Sequence, residues 1–98
     1  MMRILVVEPG KQPEDREIDG SLESMQQIVG GLIQVIYPFD DTVALICNDE
    51  GKLLGLPWNR VVGCDIIAGT FFLCDAPPKS ENFESLSEEQ ICYYTTLF

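Results

Sequence analysis

The stretch Ser21–Phe39, SLESMQQIVGGLIQVIYPF, constrains the fold more than any other part of this chain. Leu22, Met25, Ile28 and Val29 fall at i, i+3, i+6 and i+7, so they share one face of a helix, with Glu23, Ser24, Gln26 and Gln27 opposite. Asp19 and Ser21 are both N-cap candidates, because a short side-chain oxygen accepts a hydrogen bond from the orphan N–H groups of the first turn. Glu23 in that turn complements the helix dipole. Gly30 and Gly31 end the helix, since a left-handed residue there is best without a Cβ. A strand follows, with Ile33, Val35 and Tyr37 on one side and Leu32, Gln34 and Ile36 on the other. So tight a return packs the helix back onto a sheet.

Other apolar runs supply that sheet. Arg3–Val7 reads as a central strand, and Arg16–Ile18 as a short strand beside it. Thr42–Cys47 is another apolar strand. Asn48–Lys52 has hairpin chemistry, with Leu53 and Leu54 beginning the return strand. Trp58–Val62 reads as a helical turn or an irregular crossover. Asp65–Cys74, DIIAGTFFLC, reads as one strand too apolar on both faces to lie at an edge, with Gly69 marking a bulge or a close backbone approach. The tail predicts a terminal helix capped at Ser87 with Gln90, or at Ser85 with Glu88, that buries Leu86, Ile91, Tyr94 and the Leu97–Phe98 end. Ninety-eight residues make one domain, 1–98. The expected class is α+β: a small, mostly antiparallel sheet, with a mixed arrangement left open, packed by one amphipathic helix and carrying a C-terminal helix.

Charge narrows the functions. Sixteen acidic residues against six basic ones give a net charge of −10. Such a chain repels nucleic-acid phosphates and anionic membrane surfaces, so neither is an expected direct partner. The acids pair locally at Glu14-Asp15, Asp40-Asp41, Asp49-Glu50 and Glu88-Glu89. Their dispersal fits plain solubility, and it fits equally a surface that mimics phosphate charge toward a nucleic-acid-binding protein. No apolar run approaches the ~20 residues of a membrane helix, and RILVV is too short for a signal-peptide core. The expected location is the cytoplasm.

The cysteines, at 47, 64, 74 and 92, form no C-x-x-C, and the chain has no histidine. A zinc site would need four thiolates from unrelated elements, so no metal or other cofactor is expected. Buried free thiols acting as small hydrophobes are the simpler reading, Cys92 among them beside Ile91. Catalysis is disfavoured on the same grounds: the commonest general base is missing, and no cysteine is flanked by lysine or arginine. The glycines spell neither G-x-G-x-x-G nor a P-loop. The chain reads as a non-enzyme.

The most suggestive cluster is Leu56-Pro57-Trp58-Asn59-Arg60, which holds the only tryptophan. Tryptophan and arginine are enriched at binding hot spots, so Trp58, Asn59 and Arg60 are the candidate binding residues. The structural alternative is that Trp58 plugs one end of the core, Asn59 caps the next turn and Arg60 pairs with an acid. Asn48 joins the candidates, although an asparagine opening a turn is ordinary.

LVVEPGK, QQIVGG-x-I-x-VIYPFDD, CNDEGKLLGLPWNR, DIIAGTFFLC and SLSEEQ occur in order along nearly the whole chain. Together they resemble the DUF3846-like family of uncharacterised small proteins from Firmicutes and their mobile elements. Relatives in that family carry a longer acidic hairpin between Asn59-Arg60 and Asp65, which here is cut to Val61-Val62-Gly63-Cys64. The resemblance implies a mobile-element context and supplies no catalytic residues. The resulting expectation is a non-catalytic accessory protein that binds another protein, in one form as an acidic inhibitor of a nucleic-acid-handling host protein. The rival is a small-molecule or nucleotide-binding module with a pocket near Trp58–Arg60. A third reading is a homo-oligomer in which strand 65–74 or the terminal helix completes a neighbour.

Overall fold

Three strands that are apolar at nearly every position organise the chain, and each is placed where both of its faces are covered. In the computed structural model, which describes all of Met1–Phe98, these are β1 (Met2–Val7), β4 (Val43–Asn48) and β7 (Phe71–Asp75). The more polar β2 (Glu14–Ile18) and the short β3 (Ile33–Ile36) take the edges, giving the order β2-β1-β7-β4-β3 with every pairing antiparallel. The sheet is therefore antiparallel throughout, within the expected α+β class.

Side-chain alternation builds a core on each face. Met2, Ile4, Val6, Ile18, Ala44, Ile46, Phe72 and Cys74 point to one side, where Met25 and Val29 of α1 (Leu22–Val29) close over them. Ser21 is the N-cap, its hydroxyl accepting from the Ser24 N–H at 3.1 Å, and Asp19 braces it by accepting from the Ser21 N–H at 2.8 Å. The helix ends at Gly30, as the sequence requires. Leu5, Val7, Val43, Leu45, Cys47, Phe71 and Leu73 point to the other side, under Leu86 and under Ile91 and Tyr94 of α2 (Glu88–Leu97). Ser87 and Gln90 form the expected capping box. Ser85 instead accepts from the Arg3 N–H, and Glu88 pairs with the Arg3 guanidinium, which also grips Asp15 at 2.5 Å. Arg3 thereby ties the start of α2 to the sheet.

Three expectations fail in the middle of the chain. Leu53 and Leu54 start no return strand; residues 49–55 are turns, and β4 is paired on its two sides by β3 and β7. The run 65–74 is two strands, β6 (Asp65–Ala68) and β7, broken at Gly69 with φ +83, a conformation side-chain-bearing residues avoid. Trp58–Val62 is a strand, β5, paired with β6 in a separate two-stranded hairpin. Gly63-Cys64 closes it as a two-residue loop with positive φ only at the first position, the type II′ pattern that suits strand twist. Val62 and Ile67 of the hairpin join the core on the α2 side. β7 is flanked by β1 and β4, so its own edges are already paired.

Candidate functional site

The register of the hairpin decides what Trp58 does. Trp58 pairs with Ala68 and Val61 with Ile66, and directly opposed residues share a face. A bulge at Asn59 keeps Trp58 and Val61 on that outer face although they are three residues apart. Both are well exposed, at 72% and 70%, so Trp58 does not plug the core. Ile66 and the exposed Leu53 line one cleft of about 260 Å³ beside Asp49, Glu50 and Asp65, with Lys52 bound to Asp65 at 2.6 Å. The outer face thus exposes Trp58 and Val61 on β5, and the acidic cleft runs along its β6 side.

The neighbouring candidates hold this face in place. Asn59 turns inward at the bulge, and its Nδ2 donates to the carbonyls of Val7 at 2.8 Å and Gly69 at 2.9 Å. It caps no turn; it fastens the hairpin to the end of β1 and to the break before β7. Arg60 pairs with no acid. Its guanidinium donates to the Asn59 Oδ1 at 2.9 Å, the Lys11 carbonyl at 2.7 Å and the Phe98 carbonyl at 3.5 Å, so it ties the hairpin to the 8–13 loop and the end of α2. Asn48 is buried away from Trp58; its Nδ2 donates to the Val29 carbonyl at 3.1 Å and its Oδ1 accepts from the Glu50 N–H at 2.8 Å. Of the four candidates, Trp58 alone is exposed. Asn59→Ala is expected to cost about 2–3 kcal/mol in urea unfolding, because two carbonyls lose their donor. Amide exchange in the hairpin should quicken ahead of the main sheet.

The thiols divide by burial. Burial first, then Asp75, pushes the Cys74 thiol up to about 12. Burial first, then Asp49 and Asp65, raises that of Cys47. Cys64 in the hairpin loop is exposed, and so, against expectation, is Cys92. One residue beyond inward-facing Ile91, a side chain has turned by about 100° around the helix. Because the thiolate is what reacts, native protein should take two alkyl groups from iodoacetamide, at Cys64 and Cys92. Mass spectrometry should find the other two cysteines modified only in denaturant.

Among known proteins, the chain matches over residues 2–98 the family described as a domain of unknown function, DUF3846. It belongs to that family. No curated protein and no solved structure matches this DUF3846 chain. In it, the CNDEGKLLGLPWNR stretch supplies the turns, the buried Asn48 and the first strand of the hairpin. No helix of this DUF3846 chain is long and apolar enough to cross a membrane.

Proposed function

We propose that this chain is a non-catalytic, cytoplasmic accessory protein of a Firmicutes mobile element. In this reading it inhibits a nucleic-acid-handling host protein by docking on it through the outer face of the β5–β6 hairpin. The observation that carries the reading is Trp58, a tryptophan 72% exposed on the same hairpin face as the exposed Val61, with the acidic cleft of Asp49, Glu50 and Asp65 along the β6 side of that hairpin. Buried anchors of this type dominate binding energy, and a polar rim steers the partner. Charge supplies the partner class. Five of the sixteen carboxylates are engaged by Arg3, Lys11, Arg16 and Lys52, no carboxylate is buried, and the rest have no basic partner. A basic surface shaped for phosphates is the complement of such a molecule. The family resemblance supports the mobile-element setting.

The test is a pull-down from host lysate at low and moderate salt, followed by titration of the purified captured protein. The expected result is a basic nucleic-acid-binding protein that salt releases. No detectable binding to candidate nucleases or polymerases at low salt overturns the reading. Quenching of Trp58 fluorescence by one nucleotide, without protein capture, replaces it with the ligand-binding alternative.

A further inference from the structure

We propose that the open edge of β3 pairs with the same edge of a second copy of this chain, forming a two-fold dimer with one continuous sheet. The two ends of the sheet are not equivalent. In β2, Glu14, Asp15, Arg16 and Glu17 are charged, which guards that edge against strand addition. From Leu32 to Pro38 there is no charged residue. β3 is paired only with β4, and its flanking Leu32 and Tyr37 are 58% and 62% exposed.

The hydrogen-bond phase shows what this edge offers. The Asp49 N–H donates to the Leu32 carbonyl at 2.8 Å, and the register continues Ile33 with Asn48, Gln34 with Cys47, Val35 with Ile46 and Ile36 with Leu45. Antiparallel ladders alternate, so Leu32, Gln34 and Ile36 turn their backbone groups toward β4. Ile33 and Val35 turn theirs outward, leaving two N–H and two C=O groups unpaired along the edge. A two-fold axis through Gln34 sets Ile33 opposite Val35 of the second copy and Val35 opposite its Ile33. All four groups of each copy are then satisfied at once. Leu32 falls opposite Ile36, and Gln34 falls opposite itself. The exposed Gln34 amide has only a weak contact from the Cys47 thiol at 3.8 Å, so it is free to bond its twin. A polar residue on the axis also fixes the register. An edge that completes itself in this way, and carries no charge to repel its like, is matched by a second copy.

The overall charge gives a signature. Two chains of −10 repel at long range, and salt screens that repulsion, so the dimer tightens as salt rises. Binding of a basic partner at the hairpin weakens under the same change, so the two proposals fail separately.

Sedimentation equilibrium across a concentration series at high salt tests the dimer. Gln34→Glu and Gln34→Lys place like charges across the axis, and each should raise the dissociation constant roughly fivefold. An equimolar mixture of the two should recover a heterodimer. Val35→Pro removes an outward N–H while sparing the ladder to β4, and should abolish association. In the unmodified protein, amide exchange at Ile33 and Val35 should slow as concentration rises. A monomer at every concentration and salt overturns the proposal. So does a dimer that ignores the Gln34 substitutions, or one in which those two amides gain no protection.

Discussion

Replacing Tyr94 with alanine is expected to destabilise the fold by about 3–5 kcal/mol, the range for truncating a buried aromatic side chain. The size follows from how little of α2 is buried. Of its ten residues only Ile91 and Tyr94 are buried, and a helix this short has no stability of its own in water. The Tyr94 ring packs against Phe39 with centroids 4.8 Å apart, and its hydroxyl donates to Asp41 Oδ2 at 3.1 Å. Urea unfolding followed by circular dichroism should show the helical signal falling before the sheet. Tyr94→Phe keeps the ring and loses one hydrogen bond, at a cost of about 1 kcal/mol. Its sharper effect is at alkaline pH. Burial first, then the Asp41 charge, holds the phenol above its ordinary value of 10.0. The native state therefore keeps this proton more tightly than the unfolded chain does. That contribution is complete below pH 10 and is lost as pH rises through the folded value. Tyr94→Phe should remove this share of the alkaline loss; an unchanged alkaline profile would place the sensitivity elsewhere.

What was legible in the sequence is what local periodicity encodes. The Met25–Val29 face of α1, the Ser21 and Ser87 caps and the apolar β1 and β4 need only neighbours within a turn or a strand; Leu22, expected on the same face, is 57% exposed. The hairpin was hidden because DIIAGTFFLC is apolar at most positions, and one Gly-Thr pair hardly interrupts such a pattern. Gly69 reads in the sequence as a bulge or a close approach, yet a full break belongs to the folded chain, where its N–H meets the Pro57 carbonyl at 2.6 Å. Trp58 as a plug of the core fails because the segment is a strand, β5, whose pairing with β6 sets the indole on the outer face of the hairpin. The role of Asn59 was out of reach for a different reason: its partner Val7 lies fifty-two residues away. Cys92 shows the smaller error of reading adjacency to Ile91 as a shared helix face.

Trp58→Ala is expected to weaken partner binding by about 2–4 kcal/mol, roughly 30- to 1,000-fold, while leaving stability within about 0.5 kcal/mol. The two halves of that statement come from one fact. A side chain 72% exposed leaves no cavity when truncated, so the fold does not feel its loss. The same exposure is what a partner would cover, and an indole desolvated in a pocket is the costliest anchor to remove. Asn59→Ala is the contrasting case, because it loosens the hairpin and so lowers stability and binding together. Asp49→Asn and Glu50→Asn should act differently again, slowing association and flattening its salt dependence with little change in dissociation. Titration calorimetry with the captured partner, beside urea unfolding of each variant, separates these outcomes. If Trp58→Ala lowers stability as far as affinity, the indole packs on its own chain; if affinity holds, the partner docks away from the hairpin. Loss of affinity alone, in a chain that unfolds like the unmodified one, is the result that assigns the outer face of β5 and β6 to binding.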